Sequence, residues 1–295
     1  MEQEKNYTVQ TVEPGDMEAL KELENLQIPA WKITDSREIV PSHVMQIVAE
    51  TGGQLLAARR KDDGRIIGFV MAFLAKNNGA HKHPGITDGE LFFASHMAAV
   101  LPQRQSSGIG YELKNAQALD ALRRGVRWLE WTYYPMLTKN GALNFGKLRA
   151  RCHKFVPNKY GVETGGLYKD LPTDRLIVLW DLKSQPPRPD GELPVPEAFP
   201  AGTIPLISRG GDWEPILDES ALTDAVAGTG PKAISCSVPR EFLELRDRSL
   251  DLARAWQEKF ARVATALFSS GSNWSIVNYR DSEDKEEGEY LFVRT

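Results

Sequence analysis

The chain has 295 residues and a formal net charge of −4, and 41% of its residues are apolar while 26% are charged. This composition is typical of a soluble globular protein and argues against global disorder. The negative net charge argues against nucleic acid as a partner, because nucleic-acid binders usually carry a basic surface. No stretch approaches the roughly 18 apolar residues of a membrane-spanning helix, and the polar N-terminus does not resemble a signal segment, so we expect a cytoplasmic protein with no membrane partner.

The first fifty residues predict a strand and two helices. Tyr7 to Val12 alternates as a strand does, and Asp16 is a typical helix cap. Pro41 suits the start of a second helix, which we expect to end at Gly52-Gly53. Leu20, Leu23 and Leu26 are predicted to share one face of the first helix, and the second helix is predicted to run through Val44, Ile47 and Val48.

Two further strands and a polar loop follow. Gln54 to Arg59 and Ile66 to Leu74 flank Asp63-Gly64, a turn sequence that predicts a β-hairpin. The loop that comes next carries His81 and His83. Two histidines without a third ligand nearby are weak evidence for a metal site, so we expect no metal and interpret both side chains as solvated. Cys152 and Cys236 are the only cysteines, and their separation predicts neither a disulfide nor a zinc site.

The segment from Leu91 to Leu122 predicts a buried strand, a glycine-containing turn and an amphipathic helix. Leu91 to Leu101 is almost continuously apolar, as in a strand that is covered on both faces, and Pro102 ends it. After the turn, apolar residues recur at steps of three and four and predict a helix with one buried face. These residues are Ile109, Leu113, Ala116, Leu119 and Leu122.

The turn has the properties of a phosphate site. The first N–H groups of a helix have no partner within it and lie at the positive end of its dipole, and glycine lets a phosphate approach the main chain closely. Spacing excludes a Walker A loop, because Tyr111 and Glu112 follow Gly110. It also excludes the dinucleotide fingerprint, because Leu113 stands where a third small residue is required.

The remaining pattern, Gln/Arg-x-x-Gly-x-Gly/Ala, resembles the pyrophosphate-binding motif of the GNAT acyltransferase superfamily. The similarity covers roughly residues 7 to 182, and it includes SHM at 95–97, LEWTYYP at 129–135 and DRLIVLW at 174–180. Within this superfamily, the chain resembles a large-GNAT bacterial family with a C-terminal extension. The resemblance implies an α/β (α+β) GNAT fold, with a mixed central sheet and helices on both faces, that binds acetyl-CoA or another acyl-CoA.

The resemblance also implies where an acyl-CoA would bind. Its pantetheine arm would pass between the strand that ends at Val100 and a diverging strand, Arg127 to Tyr133, and would pair with the main chain of Ala98, Ala99 and Val100. Asn140 or Asn144 would hold it from the other side. The residues that would contact the pyrophosphate are Gln105, Ser106, Ser107, Gly108, Ile109 and Gly110.

A basic cluster beyond these asparagines has two interpretations. It is either a solvated helix face or a site near the 3′-phosphate of CoA, and the sequence does not choose between them. Its members are Lys147, Arg149, Arg151 and Lys154.

Acyl transfer from a thioester to an amine needs a well-placed amine and a proton acceptor. His96 is the first candidate base, because its ordinary pKa suits the task, and Glu130 is the second. Many family members donate a proton from a tyrosine on the helix after the diverging strand. We predict that helix through Leu143, Leu148 and Cys152, and the tyrosine position falls on Phe155, which has no proton to give. Tyr160 or Tyr133 would then donate the proton instead. A purely structural role explains each of these two tyrosines, and each of the two candidate bases, equally well.

The last third of the chain predicts a linker and a second module. Seven prolines between Ser184 and Pro205 favour an extended linker or a strap across the surface. Beyond them we expect a strand at Ala233 to Val238, a long helix with Pro239 in its first turn, and two strands near the C-terminus, Trp274 to Tyr279 and Tyr290 to Val293. Tyr160 to Leu167 and Leu176 to Leu182 are expected to complete the sheet of the first domain. The predicted domains are 1–183 (GNAT acyltransferase), 184–205 (linker) and 206–295 (a packing or dimerisation module).

Three functions follow as hypotheses. The first is a CoA-dependent N-acyltransferase that moves an acetyl or succinyl group to a small-molecule amine such as an amino acid, with a homodimer as one possible assembly. The second is a domain that binds acyl-CoA without turnover, to which the phenylalanine at the family's tyrosine position points. The third is an assembly subunit whose C-terminal half binds a partner.

Overall fold

A computed structural model describes residues 5–79, 85–162, 170–188, 193–194, 197–271 and 273–294. His81, His83 and most of the predicted strand from Tyr160 to Leu167 lie outside these residues. The chain forms two compact units, of which the first contains the described residues up to 131 together with 181–188, and the second contains the others. The predicted domains, which follow chain order, stay a prediction.

The first unit is built around a mixed sheet. Its strands lie in the order β1-β2-β3-β4-β5, antiparallel from β1 to β4, with β4 and β5 parallel. The division between the units falls within β5, after Trp131. The elements are β1 (Tyr7–Thr11), α1 (Met17–Trp31), α2 (Ser42–Glu50), β2 (Gln54–Arg60), β3 (Ile66–Lys76), β4 (Leu91–Val100), α3 (Ile109–Arg123) and β5 (Trp128–Tyr133).

Helices cover both faces of this sheet, which confirms the predicted α/β (α+β) class. Successive residues of a strand point to opposite faces, and on β2 Leu55 packs with α1 and α2, whereas Leu56 packs with α3. The predicted cap of α1 is also confirmed, since Asp16 Oδ1 accepts a hydrogen bond from the Ala19 N–H at 3.0 Å.

The predicted face of α1 is buried and α2 forms where it was predicted, although its apolar residues are not all buried. Leu20, Leu23 and Leu26 are all buried, whereas Ile47 is 53% exposed and Met45 is buried instead. Both Val44-Ile47-Val48 and Met45-Val48-Ala49 have helical spacing, so periodicity alone does not select the face that meets the sheet.

The strands of the second unit lie in the order β7-β6-β11-β12-β10-β8-β9. The C-terminal strands join β6 through the pair Cys152 and Ile276, and both cysteines are buried as free thiols. Its elements are α4 (Thr138–Gly141), which runs into a π-helical turn at Ala142–Lys147, β6 (Arg151–Val156), β7 (Arg175–Asp181), β8 (Ile204–Arg209), β9 (Pro215–Leu217), α5 (Glu219–Ala227), β10 (Ala233–Pro239), α6 (Phe242–Arg248), α7 (Leu250–Ser269), β11 (Trp274–Asp281) and β12 (Glu287–Arg294).

The helix predicted through Leu143, Leu148 and Cys152 is right as far as Lys147 and wrong beyond it, because residues 151–156 form β6. Cys152 pairs with Val178 and Lys154 with Ile177, so His153 is an extra residue in a β-bulge. The bulge puts the buried Cys152 and Phe155 three positions apart, a spacing that is typical of a helix rather than a strand.

The single long C-terminal helix is also wrong. Pro239 is the last residue of β10, and the helical region divides at Ser249, which has an extended backbone. Ser249 caps α7 by accepting a hydrogen bond from the Leu252 N–H at 3.3 Å. The helical spacing of apolar residues continues across Ser249 and does not reveal the break. The sequence signal for a new helix start was the serine itself, which is a typical cap.

Within the first unit, the proline-rich segment contacts α3 in the way expected for a strap. The Arg188 N–H donates to Asn115 Oδ1 on α3 at 2.8 Å, and the Asn115 amide donates back to the Arg188 carbonyl. Among the helices that the structure describes, none has the length and apolar content to cross a bilayer.

Close packing where β3, β4 and α3 meet gives a test of the fold. A Cβ on Gly68 would lie 2.8 Å from the Ala99 carbonyl oxygen and 3.2 Å from Leu113 Cδ1. Gly68→Ala is therefore expected to lower the free energy of unfolding by about 1–3 kcal/mol, because β4 or α3 has to move. Gly15→Ala is the matched control, since no atom lies within 4 Å of its added Cβ. Denaturant unfolding measures both, and equal losses would contradict this packing.

Candidate functional site

The turn between β4 and α3 presents exposed backbone N–H groups. Gly108 caps α3 with a φ of +87° and Ser106 has a φ of +63°, both left-handed conformations. Within the described chain, the N–H groups of residues 106–110 donate no hydrogen bond to protein atoms. Gln105 Nε2 donates to the Val100 carbonyl at 3.4 Å, and Ser107 Oγ donates to the Arg104 carbonyl at 2.5 Å. Such a turn at a helix start fits an anion.

β4 and β5 separate soon after they begin. They pair at Phe92 with Trp128, Phe93 with Leu129 and Ala94 with Glu130, and no later pair joins the described residues of these strands in the first unit. β4 continues to Val100 while it stays paired with β3. Alternate residues of a strand direct their N–H and C=O groups to opposite edges. Between Ser95 and Val100, every second residue of β4 therefore points these groups away from β3, where an extended ligand could pair with them. We call the point just beyond the last pair, marked by Ser95 and Trp131, the fork.

β4 bulges at His96, next to the fork. Ser95 pairs with Ala72 and Met97 with Met71, so His96 has no counterpart on β3. The residue is exposed, and its ring centroid lies 5.7 Å from that of Phe73. Partial desolvation of the ring lowers the pKa of His96 below its usual value, because it disfavours the imidazolium ion. A neutral imidazole at neutral pH is able to accept a proton.

The other predicted site residues are divided between the two units. Glu130 lies in the last β4–β5 pair and is half-buried. Asn140, Asn144 and Tyr160 belong to the second unit, where Asn144 is buried and Tyr160 is 57% exposed with the Arg175 guanidinium 5.1 Å from its ring. Their roles, like those of Ala98, Ala99 and Val100, stay predictions.

Two expectations about proton donors need correction. Phe155 lies on β6 and not on the helix after the diverging strand, so the spacing that placed the family's tyrosine on it is wrong. The Tyr133 hydroxyl is buried and donates to the Tyr290 hydroxyl oxygen at 3.2 Å. Burial raises the pKa of Tyr133 well above its usual value, which fits a structural role better than proton donation.

The basic cluster does not form one helix face. Lys147 ends the π-helical turn, whereas Arg151 and Lys154 lie on β6. Arg149 forms an ion pair with Glu197 at 3.0 Å. The interpretation as a solvated helix face is therefore wrong, because the bulged strand begins where a helix was expected.

A buried lysine at the fork was missed by the sequence analysis. Lys114 on α3 is 3% exposed, and its Nζ donates to Ser95 Oγ at 3.0 Å and to Gln117 Oε1 at 2.9 Å. The same atom lies 3.8 Å from the centroid of the Trp131 ring. Burial lowers the pKa of Lys114 to about 7, because the cation loses its hydration.

The burial of Lys114 was not predicted because the sequence analysis assigned only one buried face to α3. Ile109 and Leu113 are buried as predicted, but a second buried face lies beside theirs. The residues of this second face recur at steps of three and four, which was a sequence signal for it. The face was not recognised because one of its residues is a lysine. That face consists of Tyr111, Lys114, Ala118 and Ala121.

No protein-family model and no curated protein matches the chain. Among solved structures, it is similar to NAA60 of Arabidopsis thaliana in complex with acetyl-CoA, at 16% identity and a TM-score of 0.46 over 59% of this chain and 99% of that one. It is also similar to yncA of Salmonella typhimurium with its cofactor acetyl-CoA, at 17% identity and a TM-score of 0.44 over 66% and 99% of the two chains. An aminoglycoside 6'-acetyltransferase type Ii matches at 16% identity and a TM-score of 0.42 over 59% and 97%. At these TM-scores the likeness supports no conclusion about activity.

The first unit has the mixed sheet, the parallel strand pair that separates and the turn into α3 that the motif resemblance implies. Metal-ligating side chains form no group of three or more among the residues described.

The burial of Lys114 makes stability depend on pH. The pKa of this lysine is 10.5 in the unfolded chain and about 7 in the folded protein. Between these two pH values the unfolded chain binds more protons than the folded protein, so the free energy of unfolding rises with pH. Chemical denaturation at pH 7 and pH 9 is expected to show a contribution of about 2 kcal/mol that Lys114→Met abolishes. The exposed Lys21→Met serves as the control and keeps the rise. An undiminished rise in Lys114→Met would show that this amine is solvated.

Proposed function

We propose that the protein is an acyl-CoA-dependent N-acyltransferase, with acetyl as the default acyl group, succinyl as the second donor to test, and the amine of a small molecule such as an amino acid as acceptor. One observation carries the proposal: a turn with open N–H groups leads into α3 directly beside a parallel strand pair that separates after three residues. A diphosphate fits the turn, and an extended pantetheine arm fits the free edge of β4.

The residues that would bind the donor follow from this arrangement. The N–H groups from Ser106 to Gly110 would receive the pyrophosphate, with Gln105 beside them. The main chain from Ala98 to Val100 would pair with the pantetheine amides through those groups that point away from β3. Asn140 and Asn144 are proposed as further contacts, on the strength of the family resemblance alone.

The reaction is a direct attack of the amine on the thioester carbonyl. A carbon–nitrogen bond forms, the carbon–sulfur bond breaks, the amine loses a proton and the leaving thiolate gains one. A main-chain N–H at the bulge of β4 would polarise the carbonyl, as an oxyanion hole does. Most of the rate would come from holding the two reactants together in a site that excludes water.

His96 is the proposed base. It lies at the bulge beside the fork, its imidazole is exposed, and its lowered pKa keeps it neutral near pH 7. Glu130 is the alternative, acting from the last β4–β5 pair directly or through one water. Tyr160 is one proposed proton donor, on the strength of the family resemblance alone.

A charge placed in the turn tests the phosphate site. Ser107→Asp introduces a carboxylate where the diphosphate is expected and should weaken CoA binding at least about tenfold, whereas the isosteric Ser107→Asn should change it little. Calorimetric titration measures both variants. Pantetheine, which lacks the diphosphate, should bind all forms alike. Equal CoA affinities of the two variants would contradict this placement.

A substitution of His96 tests the base. With acetyl-CoA and a panel of amines, His96→Gln should lower kcat by about 10²–10⁴-fold and leave CoA affinity unchanged. The wild-type rate should fall as pH drops through the pKa of His96, below its usual 6.5, because the imidazolium no longer accepts a proton. Glu130→Gln is the companion variant.

Two results would contradict these proposals, one with Glu130→Gln and one with the wild type. A loss confined to Glu130→Gln would transfer the role of base to that carboxylate. Tight acyl-CoA binding without thiol release from any amine would favour a non-catalytic acyl-CoA-binding module instead.

A further inference from the structure

Lys114 is a buried amine at the fork that neither donor binding nor the proposed base accounts for. Its Nζ contacts a residue on each of the separating strands, Ser95 on β4 through a hydrogen bond of 3.0 Å and Trp131 on β5 across 3.8 Å to the ring centroid. These are the first residues beyond the last β4–β5 pair. Lys114 therefore places an ionisable amine at the point where the two strands part.

We propose that Lys114 stabilises and protonates the CoA thiolate that leaves in acyl transfer, acting through the hydroxyl of Ser95; this inference rests on the proposed function. Ser95 is the group that would contact sulfur, and Lys114 is a positioning residue behind it. Ser95 immediately precedes His96, and neighbouring residues of a strand are about 3.3 Å apart. A thioester whose carbonyl is polarised at the bulge has its sulfur one bond away, within reach of Ser95.

The hydrogen-bond network suits this transfer. Ser95 Oγ accepts from Lys114 and donates to Gln117 Oε1 at 3.0 Å, while Gln117 Oε1 also accepts from Lys114 at 2.9 Å. If the Ser95 hydroxyl turns to sulfur, Gln117 still holds the ammonium group. When the carbon–sulfur bond breaks, its electron pair goes to sulfur, the Ser95 proton follows, and Ser95 Oγ takes a proton from Lys114. Solvent then reprotonates Lys114, and no further reactant is needed.

The charge of Lys114 is not neutralised by its described surroundings. Its contacts are a hydroxyl, an amide oxygen and an aromatic ring, and none of the ion pairs in the described ranges includes it. The other ionisable groups nearby on α3 have partners of their own: Glu112 pairs with Lys5 at 2.6 Å, and Asp120 with Arg124 at 3.7 Å. On β4 and β5 the ionisable groups near the fork are His96 and Glu130.

A neutral side chain of β2 also contacts this network. Gln54 on β2 donates to the Gln117 carbonyl at 2.9 Å and to Asp120 Oδ2 at 2.8 Å, so it joins the Lys114 network to that carboxylate through neutral groups. The pKa of Lys114, about 7, means that the amine exchanges a proton readily near neutral pH. A thiolate brought to the fork would raise that pKa, and the ammonium would lower the pKa of the thiol.

The test measures the thiol of bound CoA and needs no acceptor. The ultraviolet absorbance of the thiolate is followed against pH in the complex of full-length protein with CoA, with the complex of a CoA analogue that lacks the thiol as the blank. Bound CoA is expected to titrate about one pH unit or more below free CoA. Lys114→Met and Ser95→Ala should return it close to the value of free CoA. The protein's cysteines do not interfere, because burial raises the pKa of Cys152 to about 12 and that of Cys236 further.

Failure of this inference is distinguishable from failure of the proposed function. If calorimetry shows no binding of CoA to the wild type, the acyltransferase proposal and this inference both fall. If CoA binds but its thiol titrates as in solution, or if both variants keep the wild-type titration, only the role of Lys114 is overturned. Ser95→Ala removes a single oxygen, so the test stands even if Lys114→Met does not fold.

Discussion

The first unit depends on the early end of one strand pairing. β4 and β5 run parallel and join through only three residue pairs, although β4 continues for six residues beyond the last of them. Unpaired strand edges are costly when buried and attract other chains when exposed, so a sheet rarely opens in its middle without a reason. A ligand that pairs as a strand supplies such a reason, and the turn into α3 lies at the end of the same strand.

Two features maintain this opening. The bulge at His96 shifts the register of β4 against β3 where the separation begins, and increases the local twist. Lys114 lies at the fork and contacts both strands through its amine and the Trp131 ring. A buried ammonium is costly, and an apolar side chain would pack there with less loss of hydration. Its presence in a position that packing alone would give to leucine points to a role in chemistry.

The sequence was sufficient for the elements whose signals are local. The Asp63-Gly64 hairpin, the Asp16 cap and the glycine turn each depend on a few adjacent residues, and the structure has all three. Errors arose where a distant contact decides the outcome. The bulge in β6 gives a strand the spacing of a helix, and Lys114 is buried because a serine and a tryptophan on two other strands meet its side chain.

The candidate site was predictable to the same degree. The loop from Gln105 to Gly110 follows from a motif, whereas the bulge at His96 and the network behind the fork depend on how β3, β4 and α3 pack. The most direct measurement of the central claim is amide hydrogen exchange of the wild type with and without CoA. The account predicts protection of the N–H groups of residues 106–110 and of alternate residues between Ser95 and Val100. Protection confined to other segments, or none at all, would contradict it.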